Sequence, residues 1–167
     1  MKAAGVMLAI VLALALQPLL ARFLVRGTVV VDLVLVVVVY AGLTSGPVVG
    51  LLTGTVAGLV QDTLSSGVIG IGGLAKTVVG FLAGVVGTRF IVVQPVPRLV
   101  VFVAATVVHA VVFIGLYVLL NLRPFGEPYV AVGGQAIGNA VVGVVAFQLV
   151  EMLPGAVERR RAARGRR

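Results

Sequence analysis

Apolar residues dominate this chain in long runs, and the breaks between runs fall at charges, prolines and glycine clusters. Reading those breaks yields six candidate helices at residues 3–20, 28–43, 47–64, 70–87, 99–120 and 130–153. A helix needs about 20 apolar residues to cross a bilayer, with a usable range near 17–25. The second run is short, and only Ser45-Gly46-Pro47 separates it from the third, so five spans is the alternative count. The valine-rich stretch 29–40 (VVVDLVLVVVVY) has strand-like composition. It is apolar at both parities, however, whereas a membrane barrel strand alternates apolar and polar residues. Lipid demands that every backbone N–H and C=O be paired within the segment, which makes these runs helices. The connections are only a few residues long, so residues 1–155 form one compact transmembrane bundle and 156–167 a basic tail. The expected class is an all-α integral membrane protein, a six-helix transmembrane bundle.

Composition agrees. Of the 167 residues 60% are hydrophobic and 11% charged, with a mean hydropathy of +1.23. A soluble domain of this size could not bury so much apolar surface behind a polar shell. Lys2, the first apolar run and Ala13-Leu14-Ala15 resemble a secretory signal. The run continues past that small-residue site, which favours a retained first helix.

Charge sets the orientation. The formal charge is +8, and six of the 13 cations (Arg159, Arg160, Arg161, Arg164, Arg166 and Arg167) lie in the last nine residues. Following a membrane segment, such a cluster reads as a cytoplasmic end by the positive-inside rule rather than as a nucleic-acid arm. Six spans then place both termini and the Arg89–Arg98 connection in the cytoplasm, with Arg22 and Arg26 on the outer side against the rule. With no cysteine, the chain has neither disulfides nor thiolate metal sites.

Two patterns inside the apolar runs carry specificity. The first is a ladder of small residues: Gly50, Gly54 and Gly58 in the third run, Gly80 and Gly84 in the fourth, Gly134 and Gly138 in the sixth. Glycines four apart let another backbone approach closely. They serve packing within the bundle or, on the functional reading, a homodimer or partner interface. The second is a set of polar residues. A charge at the bilayer centre costs about 2.5–3.5 kcal/mol on insertion scales, so each is a candidate site residue. Asp32, Asp62, Lys76, Gln135 and Asn139 all fall toward the outer end of their runs. The inner half is expected to be nearly pure hydrocarbon. Asp62 and Lys76 flank a short turn, and Lys76 lies about 9 Å into its helix, within snorkelling range. A pair between them would staple a helical hairpin or line an outward-facing pocket. His109, alone in the middle of the fifth run, reads as a neutral imidazole hydrogen-bonded to another helix rather than a proton relay.

Nothing suggests catalysis: there is no HExxH, GxSxG or Walker loop and no close carboxylate pair. Gly70-Ile71-Gly72-Gly73 follows a turn and enters a membrane helix, which is no phosphate-binding context. No cofactor or metal is expected.

The stretch from Asp32 to Phe90 resembles the rod shape-determining protein MreD family. The resemblance is carried by Pro47-Val48-Val49-Gly50, Gly54, Gly58-Leu59-Val60-Gln61-Asp62, Ser66-Gly67-Val68-Ile69-Gly70-Ile71 and Lys76-Thr77-Val78-Val79-Gly80-Phe81-Leu82-Ala83-Gly84. It adds Gln61 to the partner or pocket candidates. It implies a non-enzymatic inner-membrane component of the cell-elongation machinery. The expected partners are an MreC-like bitopic protein and, indirectly, an MreB-like filament, a RodA-type glycosyltransferase and a class B transpeptidase. It further implies a fold similar to the S components of energy-coupling-factor transporters. From that comes the rival expectation, a transporter subunit binding a small solute from outside.

Overall fold

The computed structural model describes residues 3–24, 31–65, 68–90, 94–122 and 128–164. All six expected helices are present: α1 (Ala3–Leu24), α2 (Leu33–Ser45), α3 (Pro47–Leu64), α4 (Ile71–Arg89), α5 (Pro95–Leu119) and α6 (Pro128–Arg164). Among the described residues there is no strand. Four helices are long and apolar enough to cross a membrane, namely α3, α4, α5 and the Tyr129–Met152 part of α6. The apolar parts of α1 and α2 are shorter.

The shortest helix holds the centre. At 13 residues α2 is about 20 Å long, well under the hydrocarbon thickness. Yet it touches each of the other five helices, and Val34, Val38 and Val39 are completely buried. Protein rather than lipid surrounds it, so span length does not bind it. Two cores meet on its opposite sides. On one, Val34 and Val38 pack with Val6, Ile10 and Ala13 of α1 and Ala57 of α3. On the other, Leu35 and Val39 pack with Val79 and Ala83 of α4, Phe102 of α5 and Ala140 and Phe147 of α6.

Local chemistry explains the boundaries. The second helix was expected from residue 28 but begins at Leu33, because the Asp32 carboxylate accepts the Leu35 N–H and acts as the N-cap. Asp32 therefore precedes the helix instead of lying one turn inside it, and residues 25–30 lie outside the described residues. Between α2 and α3 the backbone turns at Gly46, whose φ of 91° suits glycine, and Pro47 opens α3. Gly70 enters α4 from the left-handed region at φ 103°. The break expected at 46 thus separates two helices, and six segments stand rather than five.

Several segments run further than expected, α1 ending at Leu24 instead of residue 20. Helix α5 starts at Pro95, four residues before the apolar run, which brings Arg98 inside the bundle. Helix α6 continues through residues 154–164 as a single 37-residue helix of about 55 Å. Most of the basic tail therefore extends α6, and residues 165–167 lie outside the described residues.

The glycine ladder is a seam between α3 and α4. A Cβ on Gly50 would collide with the Gly80 carbonyl, one on Gly54 with the Lys76 carbonyl, and one on Gly84 with the backbone of Pro47. At Gly58 it would come within 2.6 Å of the Gly73 Cα. Thr55 and Thr77 bridge the same seam with hydroxyls 2.8 Å apart. Gly134 and Gly138 lie half-buried on α6, away from this contact.

Candidate functional site

One end of the bundle holds a polar centre. It is built from the C-terminal parts of α1, α3 and α5 and the N-terminal ends of α2, α4 and α6, as an up-and-down arrangement requires. The glycine seam draws α4 against α3 at Lys76, and α2 presents its N-cap at the same level.

Lys76 Nζ lies 2.9 Å from Asp32 Oδ2 and 3.2 Å from His109 Nε2. Both members of the ion pair are buried, Lys76 at 3% and Asp32 at 4% exposure. An ammonium only donates, so His109 Nε2 is the acceptor and the neutral ring carries its proton on Nδ1. Asp32 works three ways at once. Its Oδ2 meets Lys76, its Oδ1 caps α2, and its backbone N–H donates to Asn139 Oδ1 at 2.8 Å. Asn139, wholly buried, donates from Nδ2 to Thr106 Oγ1 at 3.1 Å, and Thr106 donates to the Phe102 carbonyl at 2.9 Å. A continuous polar network therefore ties α2, α4, α5 and α6 together. Removing a single partner would leave a buried charge or donor uncompensated.

The expected Asp62–Lys76 pair does not form. Lys76 does not snorkel outward; it turns into the bundle, where Asp32 supplies a carboxylate at closer range than the interface. Asp62 instead serves α4. Its Oδ2 accepts the N–H groups of Gly70 at 2.8 Å and Gly73 at 3.0 Å, two donors at the start of the helix. A Cβ on Gly72 would strike the Asp62 carboxylate, so the glycine-rich entry to α4 makes room for this cap.

Beside the network lies a cavity of about 480 Å³. Asp32, Lys76 and His109 form part of its wall, with Gln61 and Asp62 from α3, Ser65 at its C-cap, Gln17 from α1 and Gln135 from α6. Phe113, Ile114 and Tyr117 of α5 line the remainder with smaller apolar residues. Of the six polar residues singled out from the sequence, five line this cavity and the sixth, Asn139, belongs to the network. The sequence reading missed Thr106, Gln17 and the aromatic wall; the hydrogen bond it expected from His109 to another helix is made, to Lys76 of α4. A signal existed: Thr106, His109, Phe113 and Tyr117 are spaced three, four and four apart, which puts them on one face of α5.

The opposite end is not the bare hydrocarbon expected. Arg98, 2% exposed, forms a bidentate pair with Glu151, Nη1 to Oε2 at 2.9 Å and Nη2 to Oε1 at 2.6 Å. Its guanidinium lies 4.0 Å from the centroid of the Phe147 ring. Spacing hid this contact, because the two residues are 53 positions apart. Among the described residues no group of histidines, cysteines and carboxylates could hold a metal ion.

Comparison with curated proteins and with solved structures gave no match, so the expected likeness to transporter S components is not confirmed. The profile of the rod shape-determining protein MreD family matches residues 2–153, nearly the whole chain. With its apolar helices, short connections and central α2, this chain is a membrane protein that belongs to the MreD family of rod shape-determining proteins.

Proposed function

We propose that this protein is a non-enzymatic inner-membrane scaffold of the cell-elongation complex. It would hold an MreC-like bitopic protein and, through it, an MreB-like filament and the lateral peptidoglycan synthases, a RodA-type glycosyltransferase and a class B transpeptidase. The observation that carries this reading is the family match over residues 2–153. The distribution of surface supports it. Asp32, Lys76, Asn139 and Arg98 turn inward, while the outward faces of α1 and α3 carry large apolar residues such as Leu8, Leu12, Val48 and Leu52.

The α3 and α4 glycines are occupied by each other, so docking uses other surfaces. Among the described residues helix α1 meets only α2 and α3, and Met7, Leu8, Val11, Leu12, Leu16 and Leu19 on it are exposed to a partner helix. In lipid such docking gains from van der Waals packing and helix–helix hydrogen bonds rather than from the hydrophobic effect. Both termini lie in the cytoplasm on this reading, because Arg89 and the basic extension of α6 share the end opposite the cavity.

The test is co-purification from membranes with an MreC-like protein, together with cell shape on depletion. Recovery of the complex and rounded cells are expected. Failure to associate in detergent and in a two-hybrid assay, with rods unchanged, sinks the scaffold reading. One observation favours a second reading, a solute-binding transporter subunit: the cavity walled by buried ionised groups. That reading requires a separate coupling module and nucleotide-binding subunits.

A further inference from the structure

We propose that the bundle binds an anionic phospholipid, with a stretch of acyl chain in an apolar slot between α1 and α6 and the headgroup at the basic extension of α6. The shape of the slot, its depth and the charge beside it each bear on this.

The slot holds about 170 Å³, and its lining is wholly apolar. Val6 and Ala9 of α1 form one wall, Ala146 and Val150 of α6 the other, and Val36 and Val37 of α2 belong to the floor. Among the described residues α1 and α6 do not touch each other, and the gap between them makes the slot. Val150 is 41% exposed, so the slot opens on the surface of the bundle. An apolar space excludes water, and one left empty forfeits dispersion contacts along its lining. In a bilayer, hydrocarbon supplies them. A helix about 10–12 Å across stays outside such a volume, whereas a single acyl chain enters it.

Depth fixes where the headgroup lies. The apolar part of α6 ends at Met152. Val150 and Ala146 precede that point by about 3 and 9 Å along the helix. Val6, near the start of α1, and Ala41, near the end of α2, belong to the same level. One leaflet of hydrocarbon is about 15 Å thick, so the slot lies in the half of it nearer the headgroups. A chain held there carries its phosphate to the level at which α6 leaves the apolar region.

Charge selects an anionic headgroup. Lys2, Arg89, Arg98 and the arginines of residues 159–167 belong to this end of the bundle, against Glu151 and Glu158. Arg98 and Glu151 neutralise each other, which leaves Glu158 as the remaining acid. At the opposite end Arg22, Arg26, Lys76 and Arg123 stand against Asp32, Asp62 and Glu127, close to balance. Helix α6 runs unbroken from the slot wall to Arg159, about 14 Å beyond Val150, and on to Arg164. Each basic residue near an anionic surface strengthens binding by about fivefold, and the long arginine stem reaches back toward the interface.

This site stands apart from the scaffold reading, because a chain that recruits its partner yet prefers no lipid loses only the site. It is also independent of sidedness, since slot and extension share one end in either leaflet. The chain has no tryptophan, so a single one reports nearby lipid without background. The test places the full chain carrying Val150→Trp in nanodiscs of equal phosphatidylglycerol and phosphatidylcholine, with bromine on the chains of one lipid or the other. Brominated chains quench an adjacent indole. Brominated phosphatidylglycerol is expected to quench Val150→Trp several-fold more than brominated phosphatidylcholine. At Val100→Trp, 58% exposed on α5, the two should quench alike. Ala9→Phe, which fills the slot, should remove the preference, and so should replacing Arg159, Arg160 and Arg161 together by glutamine. Salt at 1 M, where the screening length falls to about 3 Å, should weaken it. Val37→Trp repeats the measurement from the floor of the slot.

Equal quenching by the two lipids at Val150→Trp and Val37→Trp overturns the proposal. The same preference at Val100→Trp overturns it too, because the enrichment is then general to the bundle. Quenching by neither lipid shows the slot covered by a partner helix or a second copy, and is equally fatal. A preference that survives Ala9→Phe or the loss of the three arginines separates slot from extension and removes the site.

Discussion

Lys76 and Asp32 form a charge pair that lipid would not tolerate singly. Both are almost fully buried, and Lys76 is held further by His109. Breaking a buried pair from one side costs about 3–5 kcal/mol, whereas replacing both partners is often close to neutral. Lys76→Met is therefore expected to destabilise the bundle strongly. Lys76→Met combined with Asp32→Asn should recover much of the loss, because asparagine retains an N-cap oxygen for α2. A double-mutant cycle of denaturant unfolding in detergent checks this, and a double variant no better than Lys76→Met contradicts it. Asn139→Leu removes the acceptor of the Asp32 N–H and the donor to Thr106 in one step. A loss of about 1–3 kcal/mol is expected from the stranded donor, read by the same unfolding. The residue types of this network were visible in the chain, but the pairing was not. Asp62 is nearer in sequence to Lys76 than Asp32 is, and proximity along the chain pointed to the wrong carboxylate.

Among the elements, α3 and α4 depend on one another most closely. Their glycines are not uniformly sensitive, and the contrast can be measured. Gly54→Ala places a methyl against the Lys76 carbonyl, which forces the helices apart beside the polar network. Overpacking of this kind costs about 1–3 kcal/mol. Gly133→Ala and Gly115→Ala meet nothing within 4 Å, so they should be neutral or gain a few tenths of a kcal/mol in helix propensity. Thermal unfolding of the three variants in one detergent distinguishes them. Equal destabilisation at all three positions would show that glycine acts there through the backbone alone. The four-residue spacing announced a close helix contact and left its partner open, since GxxxG serves a neighbour in the same chain as readily as a second copy. The α2–α3 break shows the converse: Ser45-Gly46-Pro47 marks its own boundary by backbone chemistry.

For the whole molecule, orientation is the property on which the functional readings turn. The chain lacks cysteine, so single cysteines report position without background. Ser65→Cys, exposed beside the cavity, should react with a membrane-impermeant maleimide in intact cells. Arg164→Cys, at the far end of α6, should react only after permeabilisation. The reverse pattern would put the cavity in the cytoplasm and overturn the docking geometry. Asymmetry between the two ends gives the result meaning. One holds a cavity walled by ionised groups, and the other holds the Arg98–Glu151 clasp and the basic extension of α6.

Apolar runs, their lengths and the residues that interrupt them were enough to specify six apolar helices, four of them long enough to cross a membrane, and the end at which most of the singled-out polar groups collect. Hydrocarbon leaves the backbone few options, and an ionisable residue stands out against it. Three-dimensional packing was needed to make the shortest helix the central one and to pair Lys76 across 44 residues with Asp32. It also drew Arg98 inside and opened a cavity beside the network. Those outcomes depend on which helix faces which, and a one-dimensional pattern of apolar and polar positions carries no record of neighbours from distant segments.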